Sequence, residues 1–323
     1  MEHCLNQLTS NVNGAQLLQQ LVNGLTLGAI YALIALGYSM VYGVLELINF
    51  AHGDVFMFGA FVTVGVVSVF GLHAGSGLAV VVPVLLLALV LSFLVCAVLG
   101  FSIEKVAYRP LRSAPRLAPL ISAVGVSFVL EAWVATFVSS RSLQIPELLP
   151  GSIKIFLGVS ISYVQILMLV VSVLMMVGLT VLVRYSRLGR GMRAVAQDRE
   201  AAALMGVNLD QTISFTFIIG SGLAAVAGLL WTLLLPVGNV MGFLAGLKAF
   251  TAAVIGGIGN IPGAMVGGFA LGLAEAFGAS YASNLSCGFF NSGYQNAIAF
   301  AFLVVMLIFR PRGILGATVS DRA

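Results

Sequence analysis

The sequence predicts an all-α polytopic membrane protein with about eight full transmembrane helices plus one short or broken helix. The N-terminus is expected outside and the C-terminus in the cytoplasm. Three observations carry this expectation. Only 8% of the 323 residues are charged and 60% are hydrophobic, whereas a soluble domain averages roughly 25% charged. The 15 Lys+Arg and 11 Asp+Glu are too few to coat a soluble body of this size, and they sit in clusters that leave long uncharged runs. Those runs approach the roughly 20 residues a helix needs to cross hydrocarbon, and they lack the alternation of barrel strands.

Taken in order, the runs are 17–42, 48–70, 78–103, 117–138, 164–183, 213–235, a short 247–258, 262–282 and 294–309. Positive charge sets their sides. Lys105, Arg109, Arg112 and Arg116 share one connection, Arg184, Arg187, Arg190, Arg193 and Arg199 another, and Arg310, Arg312 and Arg322 lie near the end. These regions are expected in the cytoplasm. Residues 1–16 carry no Lys or Arg, and 139–163 carry only Arg141 and Lys154, so both are expected outside. A chain that starts outside and ends inside crosses an odd number of times, which favours nine crossings with 247–258 thin or broken. The expected division is an external segment 1–16, one membrane domain 17–312 with a cytoplasmic loop 184–211, and a cytoplasmic tail 313–323.

The net charge of +4 reflects this retention of positive residues inside, and no nucleic-acid partner is expected. The N-terminus has no basic n-region, so no cleaved signal peptide is expected. Cys96 lies in an apolar run and reads as packing. Cys4 and Cys287 fall on the same outer side, which leaves a disulfide between them open. The cysteines have no metal-ligand spacing. The chain contains no GxxxxGK[ST] loop, no HExxH and no Ser–His–Asp set among its spans, so it is read as neither an ATPase nor another enzyme, and as holding no cofactor.

Four features stand out of the apolar background. In the loop 184–211, strong helix formers from Met192 to Met205 predict one helix closed by Gly206. Val195, Leu204 and Met205 give it an apolar face, while Arg193, Asp198, Arg199 and Glu200 are polar and Ala201, Ala202 and Ala203 permit close approach. It reads either as a solvated connector or as an element fitting a groove on a cytoplasmic partner. Between the first two runs, Glu46, Asn49, His52 and Asp54 form either a water-exposed turn or a partly buried polar knot. In the knot, Asn49 and Asp54 would cap helix ends and His52 would bridge them. No relay continues from His52, and too few ligands converge for a metal.

Gly256-Gly257-Ile258-Gly259-Asn260-Ile261-Pro262-Gly263 breaks the apolar pattern and reads as a hinge or gate, with Pro262 at a helix start. Gly259, Gly263 and Gly267, and separately Gly268 and Gly272, are spaced by four as packing stripes. Finally, Glu131 is expected near the outer end of its span. Lys248 and Glu275 are expected either to pair or to line a pore.

Glu200-Ala201-Ala202 followed by Gly206 resembles the EAA-type loop of ABC importer permeases, which docks on the ATPase. Residues 28–37 (GAIYALIALG), 41–44 (VYGV) and 48–54 (INFAHGD), with the loop 193–208 and 256–264 (GGIGNIPGA), resemble the LivH-type permeases of branched-chain amino acid ABC importers. The resemblance runs from about residue 17 to 312 and is weakest over 139–161. The family often has Glu where Asp54 stands. Related urea and amide permeases tend to have Met at the position of Phe50, which leans towards amino acids. The resemblance implies a multi-pass permease of the bacterial cytoplasmic (inner) membrane that moves branched-chain or other neutral amino acids. It also implies a second, LivM-like permease, two cytoplasmic ATPases that hold ATP and Mg, and an external binding protein. The alternative classes are an ion-gradient-driven secondary carrier and a urea or amide permease of the same family.

Overall fold

Long apolar runs become long helices because lipid leaves backbone polar groups no partner outside the helix. The computed structural model describes residues 14–112, 114–115, 117–154, 158–285 and 294–316. In order, these form α1 (Gly14–Leu45), α2 (His52–Val69), α3 (Leu78–Ile103), α4 (Leu117–Phe137), strands β1 (Ser152–Lys154) and β2 (Ser160–Ser162), and α5 (Tyr163–Tyr185). There follow α6 (Arg187–Gln197), α7 (Arg199–Leu204), α8 (Leu209–Thr232), α9 (Met241–Gly256), α10 (Ile261–Leu285) and α11 (Gln295–Phe309). A π-helical turn, Glu104–Tyr108, and a 3-10 turn, Arg109–Leu111, carry α3 onward.

Among the described residues seven helices are long and apolar enough to cross a membrane: α1, α2, α3 with its extension, α4, α5, α8 and Ile261–Tyr281 of α10. The protein is therefore a helical polytopic membrane protein. Three details differ from expectation. The run 294–309 yields a helix of 15 residues, about 22 Å long at 1.5 Å per residue, short of the roughly 30 Å hydrocarbon core. The short helix α9 begins at Met241 rather than at 247, because Lys248 interrupts the apolar pattern without interrupting the helix. A small antiparallel hairpin, with Ile153 opposite Ile161, also stands within the 139–163 segment of an otherwise helical chain.

The centre of the bundle is α1, whose residues from Gly28 to Val41 are all buried. It runs antiparallel to α10 at very short range. An added Cβ at Gly268 would strike the backbone of Ala32, and one at Gly272 would strike that of Gly28. Gly263 and Gly267 face the other way, against Gly256 and Ala252 of α9. The two glycine stripes thus serve two different neighbours. Helix α8 packs on α1, α2 and α3, while α4 and α5 expose most of their surface. Cys96 is buried, its thiol donating to the Val55 carbonyl at 3.3 Å. Cys4 and Cys287 lie outside the described residues.

The ends of the bundle are distinct. One gathers the C-terminus of α1, the turn 257–260, the loop helices α6 and α7, and the start of α8. At the other, the Gln19 side chain both donates to and accepts from the backbone of Ser160, and Leu143 pairs with Val237.

Candidate functional site

At the basic end, the single helix expected from Met192 to Met205 is two. Asp198 turns extended (φ −157°, ψ 114°) and its Oδ1 accepts from the backbone N–H of Glu200 at 2.9 Å and Ala201 at 3.0 Å. A short acidic side chain that satisfies the next helix's first N–H groups ends the preceding one. Met192, Val195 and Ala202 turn inward, whereas Glu200 and Ala201 face outward. Leu204 and Met205 are 88% and 85% exposed at the tip. Gly206 follows with φ 83°, a left-handed C-terminal position that suits glycine. Arg193 is turned back on the bundle, donating to the carbonyls of Val183 and, at 3.0 Å, Arg184 at the end of α5. A cleft of about 330 Å³ separates these helices from the bundle, bordered by Leu45, Glu46, Arg112, Pro119, Val195 and Arg199.

The polar turn after α1 is a buried knot. Asn49, His52 and Asp54 are all buried, so the exposed-turn alternative does not hold for them. Its wiring differs from the caps expected. The N-cap of α2 is Ala51, with no side-chain cap. Asn49 Oδ1 instead accepts from the Tyr108 hydroxyl at 3.1 Å, and the same hydroxyl reaches the Ile48 carbonyl at 3.2 Å. The His52 ring meets Tyr38 edge-on at 4.8 Å between centroids and fills the space left by the missing side chain of Gly37. His52 therefore touches α1 about 12 Å short of its end, counting 1.5 Å per residue from Gly37 to Leu45. Gly53 packs on the backbone of Gly242 and Gly246 in α9.

Lys248 and Glu275 form a buried ion pair between α9 and α10 at 2.5 Å, and Lys248 Nζ also donates to the Tyr31 hydroxyl at 3.3 Å. Pairing, rather than an isolated charge facing a pore, is what the side chains show. The glycine turn after α9 has positive φ at Gly257 and Gly259. It is strapped by the segment after α11: Ile314 N–H donates to the Ile255 carbonyl at 2.8 Å and Leu315 N–H to that of Gly256 at 3.0 Å. Asn260 Nδ2 closes the strap on the Leu315 carbonyl at 2.7 Å, while its Oδ1 accepts from Gly263 N–H at the start of α10. Pro262 lies in that first turn, where a missing N–H costs nothing.

Residues 20–309 match the family model described as branched-chain amino acid transport system / permease component. The chain belongs to that family. It is 50% identical over 308 residues to the high-affinity branched-chain amino acid transport system permease protein BraD of Pseudomonas aeruginosa, covering 93% of this chain and 95% of that one. It is 43% identical over 307 residues to the corresponding permease protein LivH of Escherichia coli K12, with the same coverage. A solved structure of PsaBC from Streptococcus pneumoniae in complex with Fab aligns with a TM-score of 0.46 at 12% identity, over 90% of this chain and 91% of that chain.

One polar cluster of this permease was not foreseen. Glu104, fully buried where the α3 run ends, pairs with Arg112 and accepts from the Ser214 hydroxyl at 2.7 Å. Arg109 and Arg112 both reach Asp210 at 2.6 Å. The arginines read from sequence only as markers of the cytoplasmic side, because their acidic partner Asp210 is distant in the chain. The one local signal was Glu104 followed by Arg112 on the same helical extension. The cluster ties α3 to the start of α8, directly beside the α6–α7 loop.

Proposed function

We propose that the chain is a transmembrane permease subunit of an ATP-driven importer, moving branched-chain or other neutral amino acids inward. A second related permease completes the pore, an external binding protein delivers cargo at the Leu143–Val237 end, and two ATPases holding ATP and Mg act at the α6–α7 end. The membrane is the bacterial cytoplasmic (inner) membrane, with the N-terminus outside, the tail 313–323 in the cytoplasm, and nine crossings that include the short α9 and α11.

The observation that carries this reading is 50% identity, across nearly the whole chain, to a permease of a branched-chain amino acid system. The α6–α7 pair supports it locally. It presents the exposed Leu204 and Met205 beyond a face anchored in the bundle, a shape suited to insertion into a groove on a partner. Reconstitution with the ATPase, the second permease and the binding protein tests it: leucine uptake should require ATP and all the partners. Leucine uptake by the purified chain alone, abolished by an ionophore, would indicate a gradient-driven carrier instead. Uptake of urea but not leucine by the complete complex would reassign the cargo.

A further inference from the structure

Among the described residues, Asp54 has no counter-charge. It is 0% exposed, neither carboxylate oxygen has a hydrogen-bond partner, and among the described residues no Lys or Arg pairs with it. Glu275, equally deep, shows what compensation looks like, with Lys248 at 2.5 Å. A buried intramembrane carboxylate is costly unless a proton or a cation accompanies it. One feature of the fold offsets part of that cost. Asp54 lies in the first turn of α2, where the positive end of the helix dipole stabilises an anion.

Other unpartnered polar groups converge on the same point. The Ser127 hydroxyl of α4 stands beside the carboxylate, and Glu131 follows one turn further along α4. On the opposite side the Tyr38 hydroxyl of α1 lies against Gly53 and within the field of Asp54. Ser127 is 2% and Tyr38 3% exposed, and neither hydroxyl has a hydrogen-bond partner. Glu131 is half-buried, with its Oε1 enclosed and unpartnered. The carboxylate lies against Gly242, where any side chain would collide with it: a Cβ there would lie 2.5 Å from Asp54 Oδ1. Gly242 belongs to the first turn of α9, close behind the Leu143–Val237 pairing, so the cluster lies towards the end assigned above to cargo entry.

Two carboxylates present acceptor oxygens with no Lys or Arg paired to them among the described residues, and the two hydroxyls beside them can accept as well as donate. A primary ammonium carries three N–H donors and a positive charge, which complements that set. We propose that Asp54, Ser127 and Glu131 form a station within the membrane that binds the ammonium group of the cargo, an α-amino acid zwitterion. The proposal rests on the amino-acid reading above and adds to it the residues that receive the charged amine. Glu131 forms the rim of the station, and Asp54 forms its floor.

The test is leucine uptake by the complete transporter in proteoliposomes, with co-purification of the ATPase as the control for folding. Asp54→Asn keeps the shape of a neutral acid and should lower uptake at least about tenfold, the scale of one lost charge-assisted hydrogen bond, while Asp54→Glu should restore most of it. Asp54→Asn with wild-type uptake would make Asp54 a neutral structural acid and overturn the station. Should Asp54→Asn fail to assemble, Glu131→Gln decides: a loss of about threefold or more supports the proposal, and wild-type uptake overturns it. Replacing sodium and potassium with choline should leave wild-type uptake intact; its disappearance would assign the station to an alkali ion and overturn the ammonium assignment. A wild-type complex that moves urea but no leucine would sink the cargo assignment itself, and the station with it.

Discussion

Arg199 donates a 2.6 Å hydrogen bond to the carbonyl oxygen of Leu45, the last residue of α1. Carbonyls at a helix C-terminus have no partner inside the helix, and a cation suits both the vacancy and the dipole. The bond joins the short helix α7 to the central helix of the bundle, immediately ahead of the buried Asn49–Asp54 turn. Removing it with Arg199→Ala should cost about 1 kcal/mol of local stability, a charged bond at a helix end. The larger effect is expected in coupling: substrate-stimulated ATP hydrolysis by the reconstituted complex should fall while the ATPase still co-purifies.

The tip of the loop makes a different prediction. Gly206→Trp places a bulky side chain at φ 83°, which costs a non-glycine residue about 1–2 kcal/mol and alters the exposed surface beside Leu204 and Met205. Leu204→Asp changes only the surface. Both should separate ATP hydrolysis from uptake without reducing the amount of permease in the membrane, measured by uptake and ATPase assays on one preparation. Normal coupling in both variants would remove α7 from the docking surface.

The Glu104 cluster should divide unequally. Glu104→Ala leaves Arg112 and Ser214 facing a buried gap and should destabilise by about 3 kcal/mol, in the range for breaking a buried pair. Asp210→Asn acts at a side chain 54% exposed, where solvent screening limits the loss to about 0–1 kcal/mol. Thermal unfolding of the two variants in detergent compares them directly, and equal losses would contradict the burial assigned to Glu104.

Lys248 and Glu275 offer a double-mutant cycle. Lys248→Met or Glu275→Gln alone should cost about 3–5 kcal/mol, because each strands the other charge. The double variant should recover much of that loss. Equal transport by the double variant and the wild type would identify the pair as structural.

Asn260 holds the glycine turn from both sides. Asn260→Ala removes the cap on α10, worth about 1 kcal/mol, and the bond to Leu315 that closes the strap. Faster amide exchange at Ile314 and Leu315, with α10 itself little changed, is the expected signature.

What the sequence disclosed follows from which interactions are local. The apolar runs and the glycine spacing at Gly263, Gly267, Gly268 and Gly272 are written residue by residue, because lipid transfer and backbone approach act on each helix separately. The break at Asp198 was missed because the alanines on either side favour a continuous helix, and only the geometry shows the carboxylate taking the next N–H groups. Asp210 and Glu104 could not be joined from sequence, since the four helices α4 to α7 intervene between them. Asp54 stood out at once as a charge among apolar residues, but Ser127 and Glu131 sit in another span, and only packing brings them to it.

The opposed faces of α10 restrict how the protein can change shape. With Gly268 and Gly272 pressed to α1, and Gly263 and Gly267 pressed to α9, these helices meet backbone to backbone and have almost no side-chain cushion along which to slide. Such close contact favours their moving as one body. Transport motion is then expected at the sparsely packed flanks, where α4 and α5 rest on the rest of the molecule, and labels placed there should report larger distance changes during turnover than labels on α1, α9 and α10.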